Sequence, residues 1–162
     1  DEAAVIRLDN GLRHIARIVQ RDVGVGVAAI KGSGAAGGMG GGAVAFLGAE
    51  LKKGIDIILD AAGFDEKAAQ ADLIITGEGR LDSQSVNGKV ISGIAQRAAK
   101  HNKKVIAICG SRGDGAEEIR KLGVSELYFA TKTPKSFDEI KLTCKQDLYA
   151  AALEAAEKVK EG

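Results

Sequence analysis

The residues of this chain best suited to chemistry lie in one stretch, Thr76-Gly-Glu-Gly-Arg-Leu-Asp-Ser-Gln-Ser-Val-Asn-Gly-Lys89. Glu78 and Asp82 are hard oxygen donors of the kind that hold Mg²⁺, directly or through water. Arg80 offers a planar fork that pairs with a phosphate or a carboxylate. Ser83 and Gln84 add neutral hydrogen bonds, and Lys89, near a helix start, can offset phosphate charge. Phosphoryl transfer asks a protein for this combination of metal, positive charge and positioning, with little covalent chemistry. The same residues also fit a salt-bridged turn in which Asp82 or Ser83 caps a helix. For Ser85 and Asn87 the turn role is the preferred one.

A second candidate is the tract Gly32-Ser-Gly-Ala-Ala-Gly-Gly-Met-Gly-Gly-Gly42. Glycine contributes 22 of 162 residues, near twice the usual share of about 7%, and much of the excess is concentrated here. Successive backbone N–H groups ahead of a helix form an anion cradle, and glycine lets a phosphate or carboxylate approach the main chain. Ser33, Gly34, Gly37 and Gly38 are therefore candidate substrate- or nucleotide-binding positions, together with Gly77, Glu78 and Ser83 of the first stretch. For Gly41, Gly42 and Gly48, close helix packing competes evenly with a binding role.

Two familiar phosphate motifs are absent. Gly32-Ser-Gly-Ala-Ala-Gly37 matches the dinucleotide glycine pattern, but that fold wants an acidic residue closing a second strand about 20 residues later. Asp56 has the spacing and opens its apolar run instead. Gly88-Lys89 is followed by valine, and Ser83 occupies the first glycine position, which excludes a P-loop.

The elements that must position these groups alternate. Val5, Leu8, Leu12, Ile15, Ile18 and Val19 predict an amphipathic helix over residues 2–21. Residues 24–30 are a weak strand or an irregular lead-in, and a helix of small residues is expected over 43–51. Residues 55–62 fit a strand by β-branching or a helix by the spacing of Ile55, Ile58 and Leu59, and helix is the preferred reading. Continuous apolar runs predict strands at 72–76, 104–109 (stopped by Gly110) and 126–130, with helices at 90–101, 115–122 and 137–159. Solid apolar strands separated by helices indicate parallel pairing buried on both faces. The expected fold is α/β, a three-layer α/β/α arrangement with a mainly parallel sheet, in a single unit. Polar loops at the carboxyl ends of such strands are where open sheets bind ligands. Gly110-Ser-Arg-Gly-Asp114 follows a strand and either lines the same crevice or is an ordinary turn.

Composition narrows the partners. A net charge of +1 argues against nucleic acid, which a basic excess would mark. No apolar run reaches the roughly 18 residues of a membrane span. Cys109 and Cys144 form no metal or disulfide pattern, so a reducing, cytoplasmic setting is expected. His14 and His101 have no ligand partners nearby in sequence, and Cys109 reads as a packing residue.

Taken together, Gly34-Ala-Ala-Gly-Gly-Met-Gly40, Ala45-Phe-Leu-Gly-Ala-Glu50, Thr76-Gly-Glu-Gly-Arg-Leu-Asp-Ser-Gln84 and Gly88-Lys89 resemble the type I bacterial glycerate kinase family. The resemblance implies a two-domain α/β kinase fold and ATP- and Mg²⁺-dependent phosphorylation of D-glycerate. It implies ligand-site candidacy for Glu78, Arg80, Asp82, Ser83 and Lys89 and for the tract Ser33 to Gly38, with Arg80, Asp82 and Lys89 as the catalytic candidates and Asp82 or Glu78 expected to hold Mg²⁺ or accept the hydroxyl proton. Members are longer and open with a strand and loop that nothing here matches, so the chain is expected to correspond to the C-terminal portion, with an N-terminal portion completing the site. A non-catalytic module binding an anionic metabolite, or a kinase of another small hydroxy acid, are the alternatives.

Overall fold

The structure is a computed structural model and describes residues 1–85, 90–133 and 135–161. They fall into two compact units, Asp1–Lys52 and Lys53–Gly162.

The first unit is helical. Helix α1 (Glu2–Asp22) starts where the Asp1 carboxylate accepts a hydrogen bond from the Ala4 N–H at 2.7 Å, satisfying one of the amides that a helix start leaves unpaired. Its apolar stripe buries Val19 and leaves Val5, Ile6, Leu8 and Ile15 exposed. The weakly read lead-in proves to be a single 3₁₀ turn, Val27–Ala29. Helix α2 (Ala35–Leu47) begins earlier than the sequence suggests and stops at Gly48, whose φ of +63° closes the last turn with a bond to the Ala43 carbonyl.

The second unit is a parallel sheet between helices. Strands β1 (Leu73–Thr76), β2 (Arg80–Leu81), β3 (Lys104–Arg112) and β4 (Val124–Thr131) make only parallel pairs. Val105 stands between Ile74 and Val124, and Ser111 between Arg80 and Thr131, so β1 and β2 share one edge of β3 and β4 takes the other. The register of Thr76 on Ala107 is kept by Arg80 on Ser111, which makes β1 and β2 one interrupted strand.

Alternate residues of β3 serve opposite faces. Val105, Ala107 and Cys109 pack with Ala68, Ile91 and Ala95, whereas Ile106 packs with Ala151 and Ala155. The first set brings in α4 (Phe64–Gln70) and α5 (Val90–Lys100), and the second α6 (Phe137–Glu161). The unit is therefore a three-layer α/β/α sandwich, with strands apolar on both faces as parallel strands must be.

The apolar run at 55–62 is helix α3 (Gly54–Ala61), the preferred reading, and three local features depart from expectation. Gly63 at φ +59° then turns the chain into α4, which the sequence reading did not anticipate. Strand β3 continues through Gly110 instead of stopping there. The segment 116–122 is a 3₁₀ helix. Helices α3, α4 and α5 are tied by Arg97, which meets Asp60 at 2.5 Å and Asp65 at 2.8 Å, while the His101 ring stands 2.9 Å from Asp65. Contact with His101, then with Arg97, holds the Asp65 carboxyl below its ordinary range.

Candidate active-site loop at the strand ends

The loop that carries the chemistry is clamped to β3 by backbone contacts that only glycine permits. A Cβ on Gly77 would stand 2.1 Å from the Ile108 carbonyl oxygen, and one on Gly110 would stand 2.4 Å from that of Gly79. Free of that obstruction, the Gly110 and Ser111 N–H groups donate to the Glu78 and Gly79 carbonyls at 2.9 Å each. Glycine here continues the sheet past the formal end of β1. The same close approach explains why Gly110 does not terminate β3.

Past β2 the chain folds into a compact turn. One oxygen of Asp82 accepts from the Gln84 N–H at 2.9 Å, and the other stands 3.6 Å from the Arg80 guanidinium. The Ser85 hydroxyl is fully buried, accepts from the Asp82 N–H at 3.3 Å and donates to the Arg80 carbonyl. The turn role read for Ser85 is thus present, and Asp82 caps the turn as well. The Ser83 N–H donates to the Asp114 carbonyl at 2.8 Å, and the Gly113 N–H to the Leu81 carbonyl at 2.7 Å. These bonds join the Gly110–Asp114 segment to the loop, so it lines the crevice and is more than an isolated turn.

The two carboxylates occupy different surroundings. Asp82 sits in the turn, with 26% of its side chain exposed beside a 66% exposed Arg80. Glu78 lines a cavity of about 450 Å³ between the strand ends and α6, and its buried Oε1 has no hydrogen-bond partner. Below it, burial pushes the Cys109 thiol up, and the neighbouring Glu78 charge reinforces that shift although a backbone hydrogen bond opposes it. Cys109 is a packing group rather than a nucleophile, as expected. Lys89 lies outside the described residues.

The glycine tract, in the first unit, has another character. Ala36, Gly37 and Gly38 adopt φ of 51°, 68° and 94°, a left-handed turn ahead of the regular part of α2. Ser33, Gly34 and Gly38 line a cavity of about 340 Å³ with Leu12, Val19 and Phe46, whereas Gly37 does not line it. Arg13, paired with Asp9 at 2.7 Å, also lines this cavity. Arg13 is not among the residues that the sequence marks as candidates. Neither are Thr131 and the α6 residues of the other cavity, although Thr131 ends a parallel strand and the strand-end rule points there.

Among the described residues no group of three or more His, Cys, Asp or Glu is placed to hold a metal. Mg²⁺ ordinarily keeps several waters and takes one or two carboxylates plus substrate phosphate. Asp82, with 26% of its side chain exposed, is a single carboxylate of that kind.

The chain matches the glycerate kinase family over residues 1–160. It belongs to that family. It is 43% identical over 138 residues to the glycerate 2-kinase of Escherichia coli strain K12, covering 85% of this chain and 36% of that protein. A glycerate kinase of Halalkalibacterium halodurans is 42% identical over 137 residues, with 85% and 36% covered. A crystal structure of a protein assigned as glycerate kinase 2 from Salmonella typhimurium LT2 superposes with a TM-score of 0.75 at 36% identity, over 100% of this chain and 41% of that one. This glycerate kinase family chain thus spans little more than a third of the length of the relatives it matches. Among its described residues no helix is long and apolar enough to cross a membrane.

Proposed function

We propose that the chain takes part in ATP-dependent phosphorylation of D-glycerate in the cytoplasm, with the rest of a longer polypeptide completing the active site. The observation that carries this reading is the Thr76–Ser85 segment. It is a glycine-clamped loop at the carboxyl ends of parallel strands, and it holds Asp82 in place next to a largely solvated Arg80. In the reaction a glycerate hydroxyl oxygen bonds to the γ-phosphorus, the bond to the β–γ bridging oxygen breaks, and ADP leaves with that electron pair. The hydroxyl proton passes to the Asp82 carboxylate, whose orientation is fixed by the Gln84 N–H.

Arg80 neutralises the charge spreading over the transferred group. Its exposed pair with Asp82 is worth about 1 kcal/mol or less, so it is released readily to a phosphate. Asp82 would hold Mg²⁺ through water, and the ion would supply further charge neutralisation. Lys89 is proposed as a second cation for the phosphates, and Gly77 and Ser83 as positioning groups. In the first unit, Ser33, Gly34, Gly37 and Gly38 are proposed to hold an anionic group on their main chain, with Arg13 joining it on release from its exposed pair with Asp9.

The test is glycerate-dependent ADP formation by the full-length polypeptide. Arg80→Ala is expected to lower kcat/KM by about 10² or more, an effect typical of lost charge stabilisation, and Arg80→Lys to recover part of it. Wild-type kcat/KM in Arg80→Ala would end this assignment.

A further inference from the structure

The cavity beside Glu78 is built for a ligand of a definite kind. Its floor is the sheet, through Ile108 and Ala130, and its roof is α6, through Ile140 and Leu148. Its polar groups are the Glu78 carboxylate, the Ser111 and Thr131 hydroxyls, the Cys144 thiol and the backbone of Gly79 and Gly110. No lysine, arginine or histidine is among these lining residues.

An anion placed here would face a carboxylate with no cation among the described lining residues to offset it, which argues against glycerate and against the triphosphate. A neutral ligand that donates hydrogen bonds meets no such penalty. It would also supply the partner that the buried Glu78 Oε1 lacks, and an unpaired buried acceptor is costly. Two apolar walls facing each other suit a flat ring. A volume of about 450 Å³ falls in the range of small-molecule sites, roughly 300–1,000 Å³. The position, at the carboxyl ends of β3 and β4, is where open parallel sheets bind ligands.

We propose that this cavity holds the nucleoside part of the phosphoryl donor, its base between the sheet and α6 and its ribose hydroxyls donating to Glu78. The inference rests on the kinase reading and adds to it by separating two carboxylates that are close in sequence. Glu78 orients the nucleoside, and Asp82 serves the phosphoryl group.

Amide ¹⁵N–¹H spectra of the chain, titrated with adenosine, test this directly. Saturable shifts are expected at Gly79, Gly110, Ser111 and Thr131. Glu78→Gln, and separately 2′,3′-dideoxyadenosine on the wild type, should raise Kd at least about tenfold. Leu148→Arg, at a half-exposed position on the cavity wall, should abolish binding, and it decides the matter if Glu78→Gln fails to fold. Shifts confined to other amides, or an unchanged Kd in the variants, would overturn the proposal. ATP turnover by the full-length polypeptide is read separately. Turnover without adenosine shifts at these amides overturns the nucleoside site alone, and adenosine binding there without glycerate-dependent turnover overturns the kinase reading instead.

Discussion

At Gly77, in the Thr76–Ser85 segment, glycine is required by a neighbour, whereas at Gly37, in the Gly32–Gly38 tract, it is required by the backbone's own torsion. Gly77 has a carbonyl oxygen 2.1 Å from where its Cβ would stand, and its φ is not among the positive ones. Gly37 has nothing within 4 Å of that point but adopts φ +68°. The first kind of glycine lets two backbones hydrogen-bond across the end of a sheet and fixes the residues between them. The second kind reverses the chain ahead of the regular part of α2. A glycine count cannot separate these roles, and their energetic consequences differ.

The comparison breaks most visibly at Gly77. A methyl group there cannot be accommodated without separating the loop from β3, so Gly77→Ala should lose about 3 kcal/mol or more of stability, read as a lowered urea midpoint. Gly37→Ala should cost only about 1 kcal/mol, the strain of a left-handed alanine, because Ala36 already adopts such a conformation beside it. Equal losses in the two variants would erase the distinction drawn here.

Much of the second unit was legible in the sequence because burial dictates it. The solid apolar runs at Leu73–Thr76, Lys104–Cys109 and Glu126–Ala130 had to be strands covered on both faces. The three-layer parallel arrangement follows from the helices between them. The candidate loop was legible for another reason: so many polar groups at a strand end have little structural use. What escaped notice depends on contacts that local sequence does not encode. Strand β2 is two residues long and exists only because β3 continues past Gly110 to pair with it. Helix α4, seven residues with three charges and no clear period, is held by its packing against the sheet face and by the Asp65 contacts with α5. Glu78 lines the cavity under α6 whereas Asp82 lies in the turn after β2, a separation made by how the chain folds past β2 and not by spacing in the sequence.

A smaller effect distinguishes the ion-paired helices of the second unit from the loop. Asp65 loses its proton more readily folded than unfolded, because of its contacts with His101 and Arg97. The stability it contributes is therefore complete above its ordinary pKa of about 3.9 and is lost as pH falls through its lower folded value. Thermal melts between neutral and strongly acid pH should show part of the acid destabilisation removed in Asp65→Asn. An unchanged acid limb would assign that loss to other carboxylates.

The proposed phosphoryl transfer at the Thr76–Ser85 loop depends on Asp82 as the proton-accepting carboxylate. Asparagine at this position keeps the cap on the Gln84 N–H and so preserves the turn, which makes steady-state kinetics of Asp82→Asn in the full-length polypeptide the decisive measurement. The expected result is a fall in kcat of about 10² or more, with an unchanged melting temperature. A wild-type kcat would rule out this role for Asp82.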